Sequence, residues 1–228
     1  MVVQAVAGPR NDGVSIRQLV PGEAGFAARL HADALPHGFF ASLGERYLRA
    51  YYMSFLSSPH ACALMADLDG VPVGLVVGPL DPEAHRSFTI RRHGARLAFQ
   101  GVRALVRRPR LGVEFLGTRL RRYTKAIVRT FRPRSSRPST EQHPQLRDRL
   151  GVLSHIAVVP DARGEGVGEA LVEAFVQSAR SAGLDRLQLL TLADGEGAAS
   201  FYDRLGWRRL ETLLDAGQHF VKYELELD

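Results

Sequence analysis

Residues Arg163-Gly164-Glu165-Gly166-Val167-Gly168 follow the apolar run Ile156-Ala157-Val158 and lead into a segment with helical apolar periodicity. Glycines between a strand and a helix let successive backbone N–H groups converge on one point, and the helix start adds unsatisfied donors and the positive end of its dipole. The chemistry this suits is cradling an anion, above all a phosphate. The spacing is not that of a dinucleotide fingerprint, because Glu169 and Ala170 stand where the pattern needs its last glycine, and no Gly-Lys-Ser/Thr follows as in a P-loop. The bland alternative is a plain strand-to-helix connection. A second segment narrows the choice: Phe201-Tyr202-Asp203-Arg204-Leu205-Gly206-Trp207 places a phenol among aromatics beside a glycine turn.

These residues need elements to hold them. Val14 to Leu19 alternates as a half-buried strand, and Pro21 opens a helix carrying Phe26, Ala27, Leu30 and Ala34. Leu43, Tyr47, Tyr51 and Phe55 recur every four residues and predict one helix from Ser42 to Leu56. Ala61 to Leu68 and Pro72 to Gly78 flank Asp69-Gly70, whose tolerance of positive φ predicts a hairpin. Val152 to Val159 is expected to be one buried strand and Gly166 to Ala182 a helix ended by Gly183. Strands at Arg186–Leu192, Trp207–Leu213 and Phe220–Leu227, with a short helix from Glu196 to Leu205, complete an α/β domain.

Taken together, the glycine turn and the Phe201–Trp207 segment closely resemble the GCN5-related N-acetyltransferase (GNAT) family. That family's pattern Arg/Gln-x-x-Gly-x-Gly/Ala is met by Arg163, Gly166 and Gly168. The resemblance implies a mixed, mostly antiparallel central sheet flanked by helices, the acyl-CoA N-acyltransferase fold, and acetyl-CoA as acyl donor. It implies that Arg163 to Gly168 (Gly164, Glu165 and Val167 included) cradle the pyrophosphate and that the pantetheine arm pairs with the backbone of Ile156, Ala157 and Val158. Tyr202 matches the tyrosine that hydrogen-bonds the departing thiolate; packing as a buried aromatic beside Phe201 and Trp207 is the other reading. The family often carries Asn seven residues earlier, where this chain has Gly195. Its strand Glu or His would fall at Ser154 and Val152, neither a good base, which leaves His155 or a water relay through Ser154. Alternation points His155 away from Ser154 unless a bulge intervenes. On the acceptor side, Phe39 and Phe40 are expected to floor the site and Glu45 to meet a cation, against the reading of core aromatics and a solvated charge. No metal is implied.

Magnitudes set what the site must do. A lysine-like amine of pKa near 10.4 is neutral about one part in a thousand at pH 7.4, a handicap of roughly 4 kcal/mol, whereas a weakly basic amine needs less help. A thiolate near pKa 8.5 is less basic than a tyrosinate near 10, so full proton transfer from Tyr202 is uphill by about 2 kcal/mol and a hydrogen bond can suffice.

With 228 residues, 45% of them apolar and 24% charged, the chain suits one globular domain rather than two, or a disordered or fibrous chain. No run approaches the roughly 18 apolar residues of a spanning helix. The start does not read as a secretory signal, and the single Cys62 makes a reducing cytoplasm the expectation. Charge is unevenly spread. Residues 91–150 hold 17 Lys and Arg against three acids, a net of +14, leaving the rest at −8. The stretch 82–150 is therefore read as a basic helical insertion in a single domain spanning 1–228. On one helix Arg92, Arg96, Arg103, Arg107 and Arg110 gather within about 60°, and Val113, Leu116, Leu120, Tyr123 and Ile127 propose a second helix. The arginine face is either solvated or meets an anionic partner. The expected function is acetyl transfer to an amine of a small molecule or protein; the alternatives are an acyl-CoA sensor without catalysis and a binder of anionic surfaces or nucleic acid.

Overall fold

The structure, a computed structural model, describes residues 13–35, 39–107, 149–193, 198–215 and 218–228. The strands are β1 (Val14–Gln18), β2 (Ala61–Leu68), β3 (Val71–Pro79), β4 (Leu150–Val152), β5 (His155–Val158), β6 (Arg186–Leu192), β7 (Arg208–Asp215) and β8 (Gln218–Glu226). The helices are α1 (Ala24–Ala34), α2 (Phe39–Ser42), α3 (Glu45–Leu56), α4 (Pro82–Arg107), α5 (Val167–Ser181) and α6 (Ala198–Arg204). Strands form two four-stranded sheets, in the orders β1-β2-β3-β5 and β4-β6-β8-β7. Every described pairing is antiparallel except β4 with β6.

Alternation along the strands sorts side chains into two cores. Leu75, Val77 and Ala157 face α1 and α3, packing with Ala24, Leu30, Tyr52 and Phe55. Val76, on the opposite face, packs with α5 and joins Leu171, Phe175, Leu187 and Tyr223, and a shift in the β2–β3 register that leaves Val73 without a β2 partner brings Val73 into the same core. The Asp69-Gly70 turn has φ of 51° and 79°, the paired positive values of the hairpin expected there. Helix α5 stops as its glycine requires: Gly183 has φ of 70°, and Leu184 N–H reaches back to Ala179 O at 3.1 Å.

Two expectations are corrected. The helix expected over Ser42–Leu56 begins only at Glu45, with Ser42 ending the separate α2, because Gly44 takes φ of 86° and breaks the turn while its carbonyl accepts from Tyr47 and Leu48. The strand expected over Val152–Val159 is also split, and the break builds the site. Leu153 N–H still donates to Gln188 O of the second sheet at 2.9 Å, whereas Ser154 N–H donates to Val77 O of the first at 2.9 Å. The chain changes sheets within one residue. Gly78 makes room for this: a Cβ there would lie 2.0 Å from Val152 O and 2.9 Å from the Phe175 ring.

Helix α4 lies along α3, with Ser57 Oγ 2.7 Å from His93 Nε2 and the Phe55 and His85 rings 4.6 Å apart. Arg110 and the second helix proposed over Val113–Ile127 lie outside the described residues.

Candidate active site

Because β5 ends the order of its sheet, one edge of it carries no strand among the described residues. Val159 N–H donates to Val73 O at 2.8 Å, so alternation turns the backbone groups of Val158 and Ile156 to the open edge. The Val158 carbonyl there accepts a hydrogen bond from Arg163 Nε at 3.3 Å. Arg163 thus links the strand edge to the glycine turn.

The turn itself is shaped by a 3-10 turn at Pro160–Ala162 and by two left-handed glycines, Gly164 at φ 88° and Gly166 at φ 74°, the latter capping α5. A groove of about 490 Å³ opens here, lined by Val158, Arg163, Gly164, Gly166, Gly168 and Phe201. Glu169, Arg204 and Leu205 also reach it. Arg204 is a second cation at the groove, on a helix terminus whose exposed position gave no separate signal in the sequence. Of the expected cradle residues, Glu165 points to solvent and Val167 is buried in the core under α5. Ala157 faces α1 and lends its backbone only, while Ile156 packs toward α5.

A long anionic donor with an amide-bearing arm fits these features. Gly168 leaves the groove wall bare, since a Cβ there would sit 3.5 Å from the Phe201 ring and project beside it. Open strand edge, glycine turn and two arginines are contiguous, which is the chemistry of a pyrophosphate followed by amides.

Tyr202 stands behind Phe201. It is 4% exposed, with its ring 5.8 Å from Trp207 and 5.7 Å from Tyr223, and burial pushes its hydroxyl up to about 12. The structure puts Phe201 in the groove wall and Tyr202 in the layer beneath it. Gly195 lies outside the described residues.

On the other face of β5, His155 enters an aromatic nest between α1, α2 and α3. Its Nε2 lies 2.9 Å from the Tyr51 hydroxyl, and its ring is 4.7 Å from His31 and 6.4 Å from Phe40. His31 Nδ1 lies 3.0 Å from the Tyr52 hydroxyl. Burial, and then the neighbouring His31, pushes His155 down to about 3; burial alone pushes His31 down to about 4. Both rings are neutral at pH 7, and a neutral His155 accepts the Tyr51 O–H at Nε2. The strand break answers the alternation question: Ser154 sits at the crossing between sheets, while His155 points to the helices.

Phe40 stacks on Tyr51 at 4.9 Å and on Tyr47 at 6.1 Å, so it lies against this nest. The Phe39 side chain lies outside the described residues. Glu45 is away from His155, with its carboxylate 3.5 Å from Arg29. Sequence reading missed His31 and Tyr51 as site groups. The available signal was a histidine on the apolar stripe of α1, where Ala27, Leu30 and Ala34 are its neighbours.

A model of the acetyltransferase (GNAT) family matches residues 133–207. The mycothiol acetyltransferase of Rhodococcus jostii is 37% identical over 75 residues, which are 32% of this chain and 25% of that protein. N-alpha-acetyltransferase 30 of Schizosaccharomyces pombe is 35% identical over 63 residues, 28% of this chain and 42% of that protein. The chain therefore matches a quarter to under half of the length of these relatives. Among solved structures, the acetyltransferase yncA of Salmonella typhimurium, solved with its cofactor acetyl-CoA, aligns over 95% of both chains with a TM-score of 0.56 and 11% identity. The ribosomal-protein-S18-alanine N-acetyltransferase of Escherichia coli aligns over 94% of both chains with a TM-score of 0.55 and 12% identity. These likenesses are of fold, and they extend beyond the matched segment to the whole order of elements. Residues 133–207 thus match the acetyltransferase (GNAT) family model, and the chain as a whole shares the fold of these solved acetyltransferases.

Proposed function

We propose that the protein transfers an acetyl group from acetyl-CoA to a weakly basic amine. One observation carries this reading: β5 leaves its backbone edge open beside the Arg163–Gly168 turn, because the chain changes sheets at Leu153–Ser154. Acetyl-CoA supplies an acyl carbon already activated as a thioester. The protein's part is to bind, orient and manage protons. Arg163, Arg204 and the N–H groups of Gly164 to Gly168 hold the phosphates, and the open backbone of Ile156 and Val158 aligns the amide arm toward the strand break. Ala157 contributes its place in the strand, Glu165 and Val167 their backbone.

The acceptor enters from the α2–α3 side, floored by Phe40. His155 at about 3 is a poor base for an ammonium of pKa 10.4: the transfer is uphill by roughly 7 units, or about 10 kcal/mol. Loss of the proton to solvent at pH 7.4 costs an ammonium of pKa 10.4 about 4 kcal/mol and an α-amine of pKa near 8 only about 1 kcal/mol. That difference selects weakly basic amines, with the neutral His155–Tyr51 pair orienting the amine and Ser154 relaying its proton through water. Tyr202 at about 12 keeps its proton against a thiolate near 8.5, so its role is one hydrogen bond to the departing sulfur. The α-amine acceptors named for the yeast and ribosomal relatives support this choice.

We place the protein as a single domain with 82–150 inserted, and in the cytoplasm, where a lone buried Cys62 stays reduced. No helix among the described residues is long and apolar enough to cross a membrane. A second reading, a sensor that binds acetyl-CoA without turnover, is favoured by the weak basicity of His155. Mass spectrometry of an amine panel incubated with acetyl-CoA tests the two. Acetylated α-amines are expected; cofactor binding with no acetylated product from any amine would establish the sensor.

A further inference from the structure

Three arginines from two helices meet in a groove of about 300 Å³ between the start of α3 and the last turns of α4. Arg46 comes from α3, Arg103 and Arg107 from α4, and Gly44, Glu45 and Tyr47 complete the near wall. Like charges this close repel, and Arg107 and then Arg46 push the Arg103 guanidinium below its ordinary value. Among the described residues none of the three is in an ion pair, and the carboxylate of Glu45 turns to Arg29. Chain folding alone gives no return for this repulsion, whereas a bound oxyanion would. The groove lies at the N-terminal end of α3, where the helix dipole is positive.

The groove continues the acceptor nest. Tyr47 lines the groove, stacks with Phe40, and Phe40 stacks with Tyr51, the partner of His155. Two stacking steps of 6.1 and 4.9 Å separate the groove from the site of chemistry. An extended chain covers about 10 Å in three residues. The other arginines of the α4 face are elsewhere: Arg92 and Arg96 lie about two to four turns back, near His93.

We propose that this groove is an oxyanion subsite of the acceptor, in which Arg46, Arg103 and Arg107 hold a phosphate-like group about 10 Å from the amine being acetylated. The assignment rests on the acetyl-transfer reading and names the acceptor's class: an amine that carries a compact anion at that reach. Guanidinium groups suit it because their planar forks match phosphate oxygens in pairs.

The test has two arms. In the first, inorganic phosphate is titrated calorimetrically into full-length protein saturated with coenzyme A, so that the glycine turn is filled. The parent should bind phosphate, and the R46Q/R103Q/R107Q variant should bind at least tenfold more weakly, while R92Q/R96Q behaves as the parent. Equal affinity in parent and triple variant overturns the subsite. The second arm compares acetylation of Ser-Ala-Ala-Ser amide with that of the same peptide phosphorylated on its last serine. The parent should favour the phosphopeptide at least tenfold in kcat/KM, with the preference lost in the triple variant and falling as salt rises. Phosphate binding without such a preference overturns the acceptor assignment. No turnover of either peptide would count against the acetyl-transfer reading, and the first arm would still decide whether the groove binds an oxyanion.

Discussion

His155 Nε2 lies 2.9 Å from the Tyr51 hydroxyl, so the first residue after the break in the central strand is tied to the middle of α3. The bond holds a neutral imidazole where β5 meets the nest between α1, α2 and α3. Tyr51→Phe removes the donor and nothing else. Loss of one net hydrogen bond is worth about 1 kcal/mol, so acceptor kcat/KM should fall by roughly five- to tenfold while the KM for acetyl-CoA stays put. Steady-state kinetics with each substrate varied in turn would show this, and unchanged values would make Tyr51 a packing residue.

Tyr202 is set to keep its proton. Tyr202→Phe should lower kcat by about 10 to 1000-fold, the scale of losing one donor to developing charge, with little effect on cofactor affinity. The rate should also show no ionisation of this group between pH 6 and 10, since burial holds it near 12. A full kcat in the variant, with chemistry shown to limit turnover, would leave Tyr202 as core.

Gly78 is the hinge on which the two sheets part. Even one methyl there meets Val152 O at 2.0 Å, with backbone on one side and the Phe175 ring on the other. Gly78→Ala should therefore destabilise the fold by about 1 to 3 kcal/mol through overpacking, and weaken acetyl-CoA binding by displacing β4 against β5. Denaturant melts and a cofactor titration check both effects. A variant as stable as the parent and binding as well would mean that the strand break does not depend on this contact.

Stability should fall in mild acid. His31 and His85 are buried and held at about 4, below the 6.5 of an exposed imidazole, so the unfolded chain takes up protons before the folded one does. Stability from these groups is complete above about pH 6.5 and is lost as pH falls toward 4, by roughly 2 kcal/mol per group at pH 5. Urea midpoints between pH 7.5 and 5 measure it. His31→Phe should flatten the curve, and a parent curve already flat would contradict the burial of these rings as neutral groups.

Much of the site was legible because backbone chemistry writes itself into sequence. The glycines before α5 mark a strand-to-helix turn, the resemblance of Arg163, Gly166 and Gly168 to the GNAT pattern gives that turn its expected use, and Asp69-Gly70 reveals the hairpin through tolerance of positive φ. The break at Leu153–Ser154 was not legible, since a strand that changes sheets keeps its apolar composition. Its cause sits in a glycine some seventy residues earlier, Gly78. The nest around His155 was hidden for a similar reason: His31, Tyr51 and Phe40 belong to three helices and meet only after packing. The same holds for the arginine face of α4. Helical periodicity gathered its members, but only contact with α3 separates Arg103 and Arg107 from Arg92 and Arg96.

The central claim, that the Arg163–Gly168 turn holds acetyl-CoA, is tested most directly by calorimetric titration of acetyl-CoA into the parent and into Gly168→Val. Gly168 is the suitable position because a Cβ there makes an ordinary contact with the Phe201 ring, so the fold accommodates it while the new side chain enters the groove. The account expects the parent to bind and the variant to bind at least tenfold more weakly, with unchanged melting temperature. Equal affinity in the two proteins, or a parent that does not bind acetyl-CoA, would contradict it.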